Sequence, residues 1–169
     1  MMGLSGSAQH LLSLLLLSCA LTGCYSFTGG RLPAHLRTVA LAPVVDNTGF
    51  GVPMYREYIT QQLVRRLPQE TPLQLTQERA DARLTVWMQR MSDLTQTVRP
   101  GEIERERRAE VAVEVEFYDA VERRTLWRRT FVRSEVYDLA GGNVARERAI
   151  LRVLDALCDD ILLAIVSLW

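Results

Sequence analysis

Lysine is missing from this chain. All 20 basic residues are arginine, and 20 Asp and Glu residues balance them. A formal net charge of zero removes the electrostatic footprint of a general nucleic-acid binder, so no nucleic-acid partner is expected. Histidine occurs only as His10 and His35, and cysteine only as Cys19, Cys24 and Cys158. That leaves little for a metal cluster or a His-based triad. No G-x-S-x-G, H-E-x-x-H or Gly-rich phosphate loop is present. Asp155, Asp159 and Asp160 are candidate metal ligands, and Ser134-Glu135 a candidate fragment of a hydrolase site. The i, i+4 spacing of Asp155 and Asp159 instead marks the wet face of an amphipathic helix. The sequence is therefore expected to be no enzyme, and no metal or free cofactor is expected. Long apolar runs are also lacking. A membrane-spanning helix needs about 20 apolar residues, and the run near the N-terminus is broken by Ser13, Ser18, Thr22 and Gly23.

What that run does fit is a lipoprotein signal. Leu11 to Leu17 is followed by Leu21-Thr22-Gly23-Cys24, an apolar segment, small residues and a cysteine in order. Small residues fit a peptidase cleft, and a thiol can carry a diacylglycerol. The expectation is a signal peptide over residues 1–23, cleavage between Gly23 and Cys24, and covalent diacylglycerol and N-acyl chains on Cys24. No Lys or Arg precedes the apolar run, so the charge that orients insertion is weak. Cys19 leaves with the signal and Cys24 is acylated. Cys158 then stands alone in an apolar stretch, as a small core residue without a disulfide partner.

The 146 residues from Cys24 onward suffice for one domain. Residues 24–36 contain Gly29-Gly30 and Pro33 and read as a short leader. Residues 37–169 read as the folded domain. Arg37 to Val45 reads as a first strand, apolar on both faces, with Pro43 marking its end or a bulge. A helix is expected from Pro53 to Leu67, stopped by Pro68, then a short strand at Leu73 to Leu75. From Asp81 the chain alternates with period 2: Ala82, Leu84, Val86 and Met88 on one face, Arg83, Thr85, Trp87 and Gln89 on the other. This strand is expected to reach toward Val98 before the Pro100-Gly101 turn. Arg105 to Tyr118 repeats the pattern, with Val111, Val113, Val115 and Phe117 against Glu110, Glu114 and Glu116. Thr125 to Arg133 follows, and Glu114 or Glu116 is expected to pair with Arg128 or Arg129. Asn143 is expected to N-cap a last helix whose apolar stripe runs Ile150, Val153, Leu154, Leu157, Ile161 and Ile165. From Ile161 the tail is apolar nearly all round, which calls for deep burial or a covering partner. The predicted fold is α+β: a two-layer sandwich with a mixed four- to five-stranded sheet and two helices on one face.

Four stretches carry a resemblance to a known family. They are Cys24-Tyr25-Ser26-Phe27-Thr28-Gly29-Gly30, the Leu32-Pro33 pair leading into Thr38-Val39-Ala40-Leu41-Ala42-Pro43, the Asn47-Thr48 turn, and the strand ending in Leu126-Trp127 before a C-terminal helix. Together they resemble the LPS-assembly lipoproteins of the LptE family, across the whole chain after the signal. The family's leader often has Gly after the lipidated cysteine, where this chain has Tyr25. The resemblance implies an outer-membrane lipoprotein on the periplasmic face. It also implies a partner, an LptD-like β-barrel that the protein plugs and helps to assemble, and contact with lipopolysaccharide in transit. The alternative is another envelope-assembly or secretion-channel lipoprotein with the same kind of domain.

Two sets of residues are candidates for contacts. Arg90, Arg99, Arg105, Arg107 and Arg108 lie on the arms and tip of the expected hairpin, where guanidinium forks suit the phosphates and acidic sugars of lipopolysaccharide. Glu102, Glu104 and Glu106 could neutralise them instead. Arg123, Arg124, Arg128 and Arg129 form a second cluster, with cross-strand pairing as its simpler role. Trp87 and Trp169 are candidates for partner contact.

Overall fold

The structure is a computed structural model and describes residues 32–95 and 105–167. Gly23, Cys24, Arg99 and Trp169 lie outside the described residues, as do the signal peptide and most of the leader.

The elements run β1 (Thr38–Leu41), β2 (Val45–Asp46), α1 (Pro53–Glu70), β3 (Gln74–Leu75), β4 (Ala82–Thr95), β5 (Glu106–Asp119), β6 (Arg124–Asp138), a 3-10 turn (Leu139–Gly141) and α2 (Gly142–Ser167). The fold is α+β, with two helices on one face of a mixed six-stranded sheet. The strand order is β3-β1-β4-β5-β6, and β2 continues the row of β1 along β4. Pairing is parallel among β3, β1 and β4 and antiparallel from β4 to β6. Pro43, which lacks an N–H, falls in the gap between β1 and β2, so one expected strand becomes two short ones. The short strand expected at Leu73 to Leu75 is present as β3.

The period-2 pattern decides which face is dry. Leu84, Val86 and Met88 of β4 oppose Phe117, Val115 and Val113 of β5, and all six are buried. A bulge between Met88 and Arg90 shifts the alternation, which puts Met91 rather than Arg90 into the core. The helices cover this face with Tyr55, Ile59, Leu63 and Leu67 of α1 and Ile150, Val153, Leu154, Leu157, Ile161 and Ile165 of α2. Cys158 is fully buried there, and burial pushes its thiol up to about 12. Among the described residues no helix is long and apolar enough to cross a membrane.

Several expected boundaries move. Pro68 does not stop α1, which continues to Glu70. A proline two residues before the last helical residue removes one hydrogen bond, and Thr71 closes the helix by donating both its N–H and its hydroxyl to the Leu67 carbonyl. The last strand runs five residues past Arg133, to Asp138, because Glu135 and Tyr137 find polar partners on the helix side. Asn143 lies inside the first turn of α2 and not at its N-cap. Gly142 makes the corner instead, at φ +55°, while a Cβ at Gly141 would stand 2.5 Å from that of Ala145. Within the described part of the apolar tail, Ile161, Leu162, Ala164 and Ile165 are buried in the domain and Leu163 is exposed.

Candidate functional site

At the end of the sheet away from the leader, β4 and β5 run on toward the hairpin tip and α2 begins. Register puts Asp93, Ala109 and Glu135 in one row and Thr95, Arg107 and Tyr137 in the next. Alternation points both rows to the helix side, but here the helix layer is just starting. The result is a cleft of ≈ 400 Å³ lined by Asp93, Arg107, Tyr137, Leu139, Gly142, Asn143 and Arg146. The Asp93 carboxylate is its organiser. It accepts the Tyr137 hydroxyl at 2.8 Å and the Arg146 Nε at 2.8 Å. The Arg146 guanidinium also lies 5.5 Å from the Phe50 ring centre, so it is held from two sides. Burial, and then the hydrogen bond and charge of Asp93, raise the Tyr137 hydroxyl above the ordinary tyrosine range, so it stays a donor. A fixed guanidinium, a second arginine and the first turn of a 26-residue helix form an arrangement that suits an anion with several oxygens.

The structure divides the expected arginine cluster. Arg107 lines the cleft. Arg105 stands exposed beside it, with its carbonyl accepting the Leu139 N–H at 2.9 Å. Arg108 lies on the opposite, open face between Leu94 and Val136. Arg90, also on the open face, is paired with Glu110 at 2.7 Å. Arg146, Tyr137, Asp93 and Asn143 were not among the expected residues. They are scattered over 54 positions, from 93 to 146, and only the pairing register brings them together.

The other candidates have structural partners. Of the expected pairs, Arg128 meets Glu114 at 2.5 Å. Arg129 cannot join it, because it sits opposite Val115 on the other face and lies over Trp127. Trp87 is half-buried rather than exposed, with the Arg128 guanidinium 5.0 Å above its ring. Asp155 accepts the Tyr58 hydroxyl, Asp159 pairs with Arg66, and Asp160 with Arg133 at 2.5 Å, so the three aspartates stitch α2 to α1 and β6. Ser134 is exposed on the open face, and Glu135 pairs with Arg152 at 3.1 Å.

At the leader end, His35 Nε2 lies 2.7 Å from Asp119 Oδ2, and Glu122 stands close enough to make a three-residue group that could present metal ligands. Asp119 is fully buried, and its Oδ1 accepts the amides of Val121 and Glu122. Burial alone would raise its carboxyl. The Glu122 amide, His35 and the Val121 amide outweigh that and hold it below the usual carboxylate range. Both oxygens are thus committed, and the group serves to tie the leader to the β5–β6 turn. Asp81 does the same for β1, accepting the amides of Arg37 and Thr38 and the Thr38 hydroxyl.

A search of curated protein sequences gives no match. Solved structures share the fold at low identity. A Xanthomonas campestris protein aligns with TM-score 0.62 and 12% identity over 81% of this chain and 87% of its own. The rare lipoprotein B of Shewanella oneidensis gives 0.53 and 12%, over 76% and 94%. PelC from Paraburkholderia phytofirmans, a dodecamer, gives 0.55 and 15%, over 83% and 93%. The fold therefore also occurs in a protein that forms a dodecamer. A family model decides the matter: the model described as LptE, lipopolysaccharide-assembly, matches residues 36–165, from the end of the leader to the last turns of α2, and the chain belongs to that family.

Proposed function

We propose that the chain is processed at the Gly23–Cys24 bond, acylated on Cys24, and held on the periplasmic face of the outer membrane. There it plugs an LptD-like β-barrel, assists its assembly, and contacts lipopolysaccharide on its way to the outer leaflet. It acts by binding, not as an enzyme. Family membership supports the assembly role, and the order of residues before Cys24 supports the anchor.

The observation that carries the lipopolysaccharide contact is the distal cleft, where Arg107 and the pinned Arg146 converge. Lipid phosphates and acidic sugars offer the oxygens that guanidinium forks accept. Arg105 adds positive charge beside the cleft, and Arg108 lies on the opposite face of the same strand. In the intact chain, Arg107→Gln is expected to weaken lipopolysaccharide binding about 10-fold, the size of one charge-assisted hydrogen bond. Unchanged affinity after replacing Arg105, Arg107 and Arg108 together would remove this patch. Cys24→Ser is expected to abolish palmitate labelling and release the domain from the membrane. Crosslinkers at positions 87 and 169 are expected to recover a large β-barrel; a ring of copies of this chain would instead favour a channel subunit.

A further inference from the structure

β6 is the last strand of the sheet, and its outer side meets no other strand among the described residues. The opposite edge is β3, only two residues long, whereas β6 runs for 15. Natural sheets blunt a long edge with proline, lysine or a bulge. From Trp127 to Asp138 this strand has none of the three. Register decides which amides are left open. The Leu139 N–H donates to the Arg105 carbonyl at 2.9 Å, and an antiparallel ladder bonds alternate pairs. Tyr137, Glu135, Arg133, Phe131 and Arg129 therefore bond to β5. Val136, Ser134, Val132, Thr130 and Arg128 turn their N–H and C=O groups outward. No backbone group among the described residues meets that row.

The side chains along this edge are complementary to themselves. Around Ser134 the order is Val132-Arg133-Ser134-Glu135-Val136. Laid antiparallel on a second copy with Ser134 opposite Ser134, the strand sets Val132 opposite Val136 twice and Arg133 opposite Glu135 twice. One step further out, Phe131 falls opposite Tyr137. The backbone agrees, because Ser134, Val132 and Val136 all belong to the outward row. Centring the pairing on Arg133 or on Glu135 would set like charges opposite each other. Val132 is 47% exposed and Val136 39%, so both valines have surface left to bury. Arg133 already pairs with Asp160, and Glu135 with Arg152. Pairing joins these into a row of alternating sign: Asp160, Arg133, then the second copy's Glu135 and Arg152.

We infer that the outer edge of β6 is a self-association surface, on which a second copy of this chain adds its own β6 antiparallel about a two-fold axis at Ser134. An isologous contact requires a surface complementary to itself, and this edge is one. The pair closes on two copies and leaves no β6 edge for a third, so it builds neither a ring nor a filament. The pairing goes beyond the barrel and lipopolysaccharide contacts and does not depend on them. It is the form of the chain outside a barrel, and a copy taken up as a plug leaves the pair.

The test uses the chain from residue 24 onward carrying Cys24→Ser, so that acyl chains do not gather the copies. Sedimentation from micromolar to submillimolar protein is expected to show a reversible equilibrium of monomer and dimer, with no larger species. Ser134→Pro removes the N–H at the two-fold axis from each copy. Proline is tolerated on an edge strand where the N–H faces solvent, so the domain keeps its fold. Dimerisation is expected to weaken about 30-fold, the loss of two ladder hydrogen bonds. Cysteines read the register independently. Opposed residues of a hydrogen-bonded pair stand about 5.5 Å apart at Cα, within reach of a disulfide, whereas Val132 stands about 13 Å along the strand from its own copy. Under oxidation Ser134→Cys is expected to link two chains and Val132→Cys to leave them separate; buried Cys158 does not compete. A monomer at every concentration, a ring or open array of copies, dimerisation unchanged in Ser134→Pro, or linkage at 132 in preference to 134 would each overturn the pair.

Discussion

Both ends of this sheet are rich in arginine, and they are built in opposite ways. At the distal end the interior is polar and the key side chain is pinned: Arg146 is held by Asp93 and Phe50, and Asp93 by Tyr137. At the leader end the interior is aromatic, with Phe117 and Trp127 5.9 Å apart and Trp127 edge-on to Phe131, while Arg37, Arg79 and Arg123 on the surface have no side-chain partner among the described residues. A fixed guanidinium selects a ligand of matching geometry, since little ordering entropy remains to be lost on binding. Unpinned surface charge attracts any anionic surface and is screened by salt. The contrast is between a pinned arginine at one end of the sheet and unpaired ones at the other.

The comparison can be broken hardest at Phe117. It is fully buried in the aromatic cluster, so Phe117→Ala should cost about 3–5 kcal/mol of stability. Urea unfolding checks this; a loss below about 1 kcal/mol would mean that the leader end is not held by packing.

A middle-sized effect is expected at Asp119. Asp119→Asn weakens acceptance from two amides and His35 and should cost about 1–3 kcal/mol at neutral pH. The sign of its pH dependence follows from the depressed carboxyl. The folded-state value lies below the unfolded one of about 3.9. The stabilisation is therefore present above that value and is lost as pH falls through the folded one, when the carboxylate takes up a proton. Melting temperatures from pH 7 to pH 2 should fall more steeply in the unmutated protein than in Asp119→Asn; parallel curves would contradict the tether.

The smallest effect sharpens the other end. Tyr137→Phe removes the hydroxyl from Asp93 at a cost of about 1 kcal/mol. It should weaken lipopolysaccharide binding and leave the acid-induced fall in melting temperature set by Asp119 unchanged. Equal changes at both would show that the two ends are not independent.

Much of the layer plan was legible in single residues. Ala82, Leu84, Val86 and Met88 alternate strictly, and all four are buried. The α2 stripe from Ile150 to Ile165 is buried as its spacing requires. Short-range steric rules read less well, because tertiary packing overrides them: Pro68 continues a helix it was expected to end, since buried Leu67 and the Thr71 bonds hold the last turn. The distal site was half legible. Arg105 and Arg107 stood out by charge, but Arg146, Asp93 and Tyr137 gave no local signal, because each is an ordinary residue of its own element.

What the chain determined by itself is periodic or local: two helices, the alternating strands, and Cys158 as a core cysteine. Hydrophobic periodicity is written into neighbouring positions and survives without a partner. What only the tertiary structure decided is register and company. The bulge after Met88 turns Arg90 outward, pairing aligns Asp93, Arg107 and Tyr137 beneath the start of α2, and two loops far apart in sequence bring left-handed Arg79 and Arg123 to the same end. Such contacts depend on strand order and a one-residue shift in pairing, and no local pattern encodes either.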